Sequence, residues 1–440
     1  SGNSGGKSDG KPVFSPVPVQ LDFPLTPAQQ RAAEEVRQFA AASPLKQCLV
    51  WAVCGAGKTE VVFPALAEAL TRGGPVLYAT PRRDVVQELA PRFRQAFPSF
   101  RVSQLYAGSG DRFAPADIYA ATTHQTLRFY QNFDLVILDE VDAYPYRDSP
   151  LLHYAVRRAS RPGGKIIYLT ATPAAAMQQQ ARDGRELAVV YIPARHHGFP
   201  VPEPELISES RLRWPVEEPN SKRKFELPDR VVDLIQRAVS EEQSQLLIFV
   251  PAVRLAGIVA EAVSRQVEFA KLKWPMELAE SAESGRAVKP ARRGEPVKQF
   301  KQAKQVKNIN QLEKHKQIEQ IEPLVFPWWV QASHAGDPQR EQKRHAFSQG
   351  DFPILVTTTI LERGITIPRV NVMVLFADAE KIFDEGTLVQ MAGRVGRTAD
   401  FPQGKVWLVG SRVSPAMRSA QARIREMNRR ARALGYLHEG

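Results

Sequence analysis

Short apolar runs alternate with longer stretches of mixed polarity through the first half of the chain. Cys48–Val53, Pro75–Thr80, Val102–Tyr106, Ile118–Ala121, Leu135–Leu138, Ile166–Thr170 and Ala188–Ile192 are the strand-like runs. Several are apolar without interruption, the pattern of strands covered on both faces. Strands alternating with helical stretches predict βαβ units and a mainly parallel sheet flanked by helices. A second series begins at Gln245–Pro251 and resumes at Val330–Ser333, Ile354–Thr357, Val370–Phe376 and Lys405–Val409. From residue 196 to 228 the chain carries six prolines (Pro200, Pro202, Pro204, Pro215, Pro219 and Pro228) among charges, which reads as an irregular strap. The expected organisation is a flexible segment over 1–20, an α/β domain over 21–195, a strap over 196–227 and a second α/β domain over 228–440.

With 440 residues, the chain is long enough for two or three domains, and its 43% hydrophobic content excludes a disordered protein. The longest apolar stretch, Leu246 to Val263, is interrupted by Arg254 and Glu261, so no membrane insertion is expected. The only cysteines, Cys48 and Cys54, sit among apolar residues and read as a buried, reduced pair in a cytoplasmic protein. A net charge of +12 favours a polyanionic partner. Part of that charge lies in residues 264–322, where 13 Lys/Arg stand against 8 Asp/Glu. This insertion reads either as an exposed charged helix or as an arm for DNA or a partner. The arginines from Arg418 to Arg432 read as a basic helix on the surface.

The strand at Cys48–Val53 runs into Gly55-Ala56-Gly57-Lys58-Thr59 and then into a helical stretch. Strand, glycine loop and helix make a phosphate cradle: backbone N–H groups close on the phosphates and the helix N-terminus adds its dipole. Lys58 is expected on the β- and γ-phosphates and Thr59 on Mg²⁺. Pro64 is expected to disturb the following helix. Asp139 and Glu140 leave the C-terminal end of an apolar strand, where α/β folds bind ligands. Asp139 is expected on the metal side, with Glu140 as the base toward the attacking water. Further upstream, Gln29 and Phe23 would read and stack on adenine, favouring ATP over GTP. A helix start with Thr26 as its cap and Pro27 in its first turn accounts for the same residues equally well.

Phosphate loop, Asp139-Glu140-Val141-Asp142, Thr170-Ala171-Thr172 and Gln390-Met391-Ala392-Gly393-Arg394-Val395-Gly396-Arg397 resemble motifs I, II, III and VI of superfamily 2 helicases. The resemblance runs from Leu25 to Val409. Thr357 to Pro368 is similar to motif V of the late-competence ComFA family, bacterial ATPases that drive transforming single-stranded DNA into the cytoplasm. The resemblance implies two tandem RecA-like domains with ATP in the cleft between them and nucleic acid across both. It implies arginine fingers at Arg394 and Arg397, and nucleotide contacts from Gly364 and Gln390. Thr170 and Thr172 would couple nucleotide state to domain closure. Thr80, Pro81, Arg82, Thr122, Thr123 and His124 would hold strand phosphates from the first domain, with Thr358 and Thr359 doing so from the second. Partners would be single-stranded DNA and the uptake channel and DNA-processing proteins, placing the protein in the cytoplasm at the inner face of the membrane. The family's four-cysteine zinc module has no counterpart here, and no zinc is expected in this chain.

A PriA-like replication-restart helicase shares the Leu25-Thr26-Pro27-x-Gln29 opening, but its second acidic motif ends in Glu-His, and its cysteine-rich zinc insertion is missing here. An RNA helicase is a third reading. A basic scaffold with a degenerate nucleotide site is the non-enzyme alternative, opposed by intact Lys58, Thr59, Asp139, Glu140, Arg394 and Arg397.

Overall fold

The computed structural model describes residues 15–110, 115–215, 224–240, 244–268, 327–359 and 367–438. Gly364 and nearly all of the basic insertion lie outside the described residues.

The first sheet is assembled from α1 (Pro27–Ala42), β1 (Gln47–Ala52), α2 (Lys58–Val61), α3 (Phe63–Thr71), β2 (Val76–Thr80), α4 (Arg83–Ala96), β3 (Val102–Leu105), β4 (Ile118–Thr122), a 3₁₀ turn (Thr123–Arg128), β5 (Phe133–Asp139), α5 (Pro150–Ala159), β6 (Ser160–Thr170), α6 (Ala175–Asp183) and β7 (Leu187–Ile192). Its seven strands run β3-β4-β2-β5-β6-β1-β7, every pair parallel. Parallel pairing requires crossovers, and the helices that make them bury both faces. Leu49, Val50, Ile137 and Leu138 are accordingly fully buried, each contributing about 1.5–3 kcal/mol relative to exposure.

The second sheet is assembled from β8 (Glu205–Ser208), α7 (Asp229–Ser240), β9 (Gln245–Phe249), α8 (Val253–Gln266), β10 (Val330–Ser333), α9 (Arg340–Gln349), β11 (Ile354–Thr357), β12 (Val370–Leu375), α10 (Glu385–Ala392), β13 (Val406–Gly410) and α11 (Pro415–Ala433). Its six strands, also parallel, run β10-β11-β9-β12-β13-β8. The two parallel sheets expected from the alternation of the sequence are both present. α7 and α8 cover a core of their own on one face. On the other face, the apolar core is continuous from the first sheet through α10 and α11.

Four local readings change. Val17 N–H donates to Thr71 Oγ1 at 3.0 Å and Gln20 N–H to Ala96 O at 3.1 Å, so the end of the expected flexible segment is tied to the first domain. The strap is not wholly irregular, because β8 inside it forms the edge of the second sheet beside β13. The helix after the phosphate loop is split: Val62 interrupts it and α3 restarts with Pro64 in its first turn, where a missing N–H costs nothing. Finally, α11 is no simple surface helix. Met417, Ile424 and Met427 are buried, the Arg423 guanidinium lies 4.6 Å over Trp51 and that of Arg430 3.8 Å over Tyr191. Arg423 and Arg430 thus bridge to the first sheet through contacts of about 0.5–2 kcal/mol each, while Arg418, Arg425, Arg429 and Arg432 stay exposed as expected.

Candidate active site

β6 is paired between β5 and β1, with Trp51 opposite Thr170 and Asp139 opposite Leu169. That order brings the phosphate loop, the acidic motif and Thr170-Ala171-Thr172 together at the carboxyl end of the sheet. Gly55 and Gly57 have φ of +81° and +69°, and a Cβ on Gly57 would lie 2.4 Å from Gln29 Nε2. A side chain at position 57 would need a left-handed backbone and would displace the Gln29 amide, so glycine keeps the loop open. Gln29 is 2% exposed; its Nε2 donates to Ala56 O at 2.9 Å and its Oε1 accepts from Thr26 N–H at 2.9 Å. The helix-start reading of Thr26 and Gln29 is thus realised as a capping box, and the Gln29 amide braces the phosphate loop at the same time.

Lys58 Nζ lies 4.0 Å from Asp139 Oδ1. The other carboxylate oxygen accepts a hydrogen bond from the Tyr78 hydroxyl at 3.0 Å, and the Glu140 N–H donates to Oδ1 at 2.8 Å. Burial raises the pKa of Asp139, opposed by Lys58, while Glu140 pushes it further up. Burial also raises Tyr78 well above the usual phenol range, which keeps it a donor. Sequence reasoning missed Tyr78, because a tyrosine in a central strand reads as core. Glu140 has a φ of +52°, a left-handed conformation rare for a side chain of its size. Such strain costs about 1–3 kcal/mol and clusters where a group must be aimed.

Asp142, also without an assigned role in the sequence, joins three motifs. It accepts from Thr170 Oγ1 at 2.6 Å, from Thr172 Oγ1 at 2.7 Å and from Gln390 Nε2 at 3.2 Å. Gln390 belongs to α10 and so ties the second domain to the first. The turn after α10 is pressed against the phosphate loop: a Cβ on Gly393 would sit 2.4 Å from Cys54 Cβ. Behind it, Arg394 is 3% exposed and Arg397 Nε donates to Gly393 O at 2.9 Å. Burial lowers the pKa of both guanidiniums, and their mutual repulsion lowers Arg394 further, against the pull of the Glu140 carboxylate on each. Lys58 beside buried Asp139, and Arg394 and Arg397 within electrostatic reach of Glu140, thus come together from two domains. The donor set fits a triphosphate with its divalent cation, which Thr59 and Asp139 would hold.

The remaining expected contacts lie at strand ends. Thr80 and Thr122 are register neighbours at the ends of β2 and β4, followed by Pro81, Arg82, Thr123 and exposed His124. Arg82 is ion-paired with Asp84. In the second sheet, Thr357 and Ser333 are register neighbours at the ends of β11 and β10, and Thr358 and Thr359 follow. Among the described residues, the buried hydroxyls of Thr80, Thr123, Ser333 and Thr357 have no hydrogen-bond partner.

The fold and these motifs define a superfamily 2 helicase, two RecA-like domains whose fold implies ATP binding. A DEAD/DEAH box helicase model matches residues 26–180, and a helicase conserved C-terminal domain model matches 307–399. DEAD-box helicase Mss116, solved bound to ssRNA and UDP-BeF, superposes with a TM-score of 0.53 at 15% identity, over 88% of this chain and 70% of that one. Competence protein ComFA of Bacillus subtilis (strain 168) is 33% identical over 422 residues, spanning 96% of this chain and 76% of the relative. ComFA of Streptococcus pneumoniae (strain ATCC BAA-255 / R6) is 31% identical over 424 residues, 94% of this chain and 81% of the relative. The chain belongs to the ComFA family.

Proposed function

We propose that this helicase is a DNA-dependent ATPase that translocates on single-stranded DNA and drives transforming DNA into the cytoplasm during natural competence. The observation that carries the reading is the run of hydroxyl and basic side chains at the strand ends of both sheets, with Arg82 and exposed His124 beside Thr80 and Thr122 in the first and Thr358 and Thr359 after β11 in the second. Contacts of this kind grip a backbone without reading its sequence, which suits a motor moving along any strand. The competence proteins in the same family supply the biological direction. Among the described residues no helix is long and apolar enough to cross a membrane. The uptake channel and DNA-processing proteins would then hold the motor at the inner face of the membrane.

In the ATPase reading, Lys58 and the loop amides bind the triphosphate, and Glu140 takes a proton from the attacking water. Arg394 and Arg397 meet the charge that develops on the γ-phosphate as the domains close. Mg²⁺, when bound, would neutralise β- and γ-phosphate oxygens. Thr170 and Thr172 report closure through Asp142. ATP turnover with no polymer, single-stranded DNA, duplex or forked DNA, and RNA, at fixed low salt, tests the reading, with Lys58→Ala as the blank. Strong stimulation by single-stranded DNA alone is expected. Equal stimulation by forked duplex would favour a fork helicase, and a preference for RNA would overturn the substrate.

The coupling assignment has its own test. Asp142→Asn weakens hydrogen bonds worth about 1.5–3 kcal/mol each to a charged acceptor. The ratio of DNA-stimulated to unstimulated turnover should fall by about tenfold or more. An unchanged ratio would leave Asp142 a structural brace only.

A further inference from the structure

Arg195 follows β7 directly before the strap, outside every helicase motif named above, and it is only 2% exposed. Its Nε donates to Cys54 O, at the entrance of the phosphate loop, at 3.0 Å. Nη1 donates to Val395 O at 2.7 Å and also to Gly396 O, and Nη2 donates to Gly393 O at 3.1 Å. One planar fork therefore holds the loop of the first domain and the turn of the second that carries Arg394 and Arg397. Gly393 is the C-terminal cap of α10, so the guanidinium also sits at the negative end of that helix. Two residues on, His197 adds to the same grip, its Nε2 lying 3.0 Å from Gly396 O while its Nδ1 accepts from Phe199 N–H at 3.1 Å. The geometry explains Gly396 as well: it has a φ of +65°, and a Cβ there would meet Pro402 O at 2.4 Å and crowd Arg195 Nη1 at 3.2 Å.

We propose that Arg195 is a positioning residue for the ATPase step, registering the Arg394–Arg397 turn against the phosphate loop so that the fingers align only in the closed cleft. This rests on the reading of Arg394 and Arg397 as γ-phosphate groups. Two features argue for a working link rather than a static staple. The hydrogen bonds of Arg195 among the described residues go to carbonyls alone, and a buried cation without a carboxylate partner gains little net stability from them. Water could take over each donor when the cleft opens, so the link is made and broken at low cost. A lysine would not reproduce it, since a point donor cannot serve four carbonyls spread across a fork.

The test compares Arg195→Met, Arg195→Lys, Arg397→Ala and the Arg195→Met/Arg397→Ala double variant in the full chain. The readouts are kcat and KM for ATP with single-stranded DNA and the affinity for a fluorescent ATP analogue. Misplacing the fingers by about 1 Å should lower kcat by about 100-fold in Arg195→Met, with analogue affinity within about twofold of wild type. If Arg195 acts through the fingers, the double variant should turn over within about twofold of Arg397→Ala, whereas independent roles would multiply the losses and overturn the proposal. Should Arg195→Met fail to fold by circular dichroism, Arg195→Lys decides alone. A kcat loss of about tenfold at near-normal KM would support the role; wild-type turnover would overturn it. Wild-type turnover in Arg397→Ala would instead sink the finger assignment, and the two failures are therefore separable.

Discussion

Arg397→Ala is expected to lower ATP turnover by about 10³–10⁵-fold while nucleotide still binds. That loss corresponds to about 4–7 kcal/mol of transition-state stabilisation. The reason lies in where the cation sits. Arg397 is held by Gly393 O, and burial lowers its pKa, so its charge is poorly solvated in the resting protein. A negative charge growing on the γ-phosphate would compensate that desolvation without any reorganisation of the site. Ground-state phosphates are already met by Lys58 and the loop amides, so binding should survive. Single-turnover hydrolysis and analogue binding, measured side by side, check this. Wild-type hydrolysis would remove the finger assignment, and lost binding at normal turnover would make Arg397 a ground-state contact.

The strands that position the site were readable because their chemistry is redundant. A run such as Leu135-Val136-Ile137-Leu138 has no polar face, and only a strand covered on both sides fits it. The phosphate loop and the acidic motif were readable for a related reason, since each follows such a strand directly. What stayed hidden depends on long-range contact. Leu206 and Ile207 are too short a run, between Pro204 and a charged stretch, to announce a strand; the free edge of β13 makes them one. Arg423 and Arg430 of α11 look like part of a solvated face until Trp51 and Tyr191 are brought beneath them. Arg195 stands just before a proline-rich strap with no motif around it, and its four carbonyl partners come from two distant segments. Charge alone said only that the partner is polyanionic, whereas the fold shows part of that charge bound up inside the protein.

The interlock around Asp142 follows from the same geometry. A carboxylate held by two threonines of one domain and a glutamine of the other has its best arrangement only when the domains are together. Opening the cleft exchanges the Gln390 bond for water, a small free-energy change. A motor needs such a balance, because a strongly preferred state would stall the cycle.

Glu140→Gln should reduce ATP turnover by about 10²–10⁴-fold, the worth of a positioned general base. Glutamine keeps the size of the side chain and its left-handed backbone, so the fold and nucleotide affinity should be retained. The amide cannot accept the proton of the attacking water, however, and the variant should hold ATP in the closed cleft. If closure is what grips the strand, single-stranded DNA should bind the ATP-loaded variant more tightly than it binds the variant without nucleotide. Filter binding of a labelled oligonucleotide with and without ATP measures this directly. Unchanged turnover would move the base elsewhere. Lost turnover with no gain in DNA affinity would separate hydrolysis from grip.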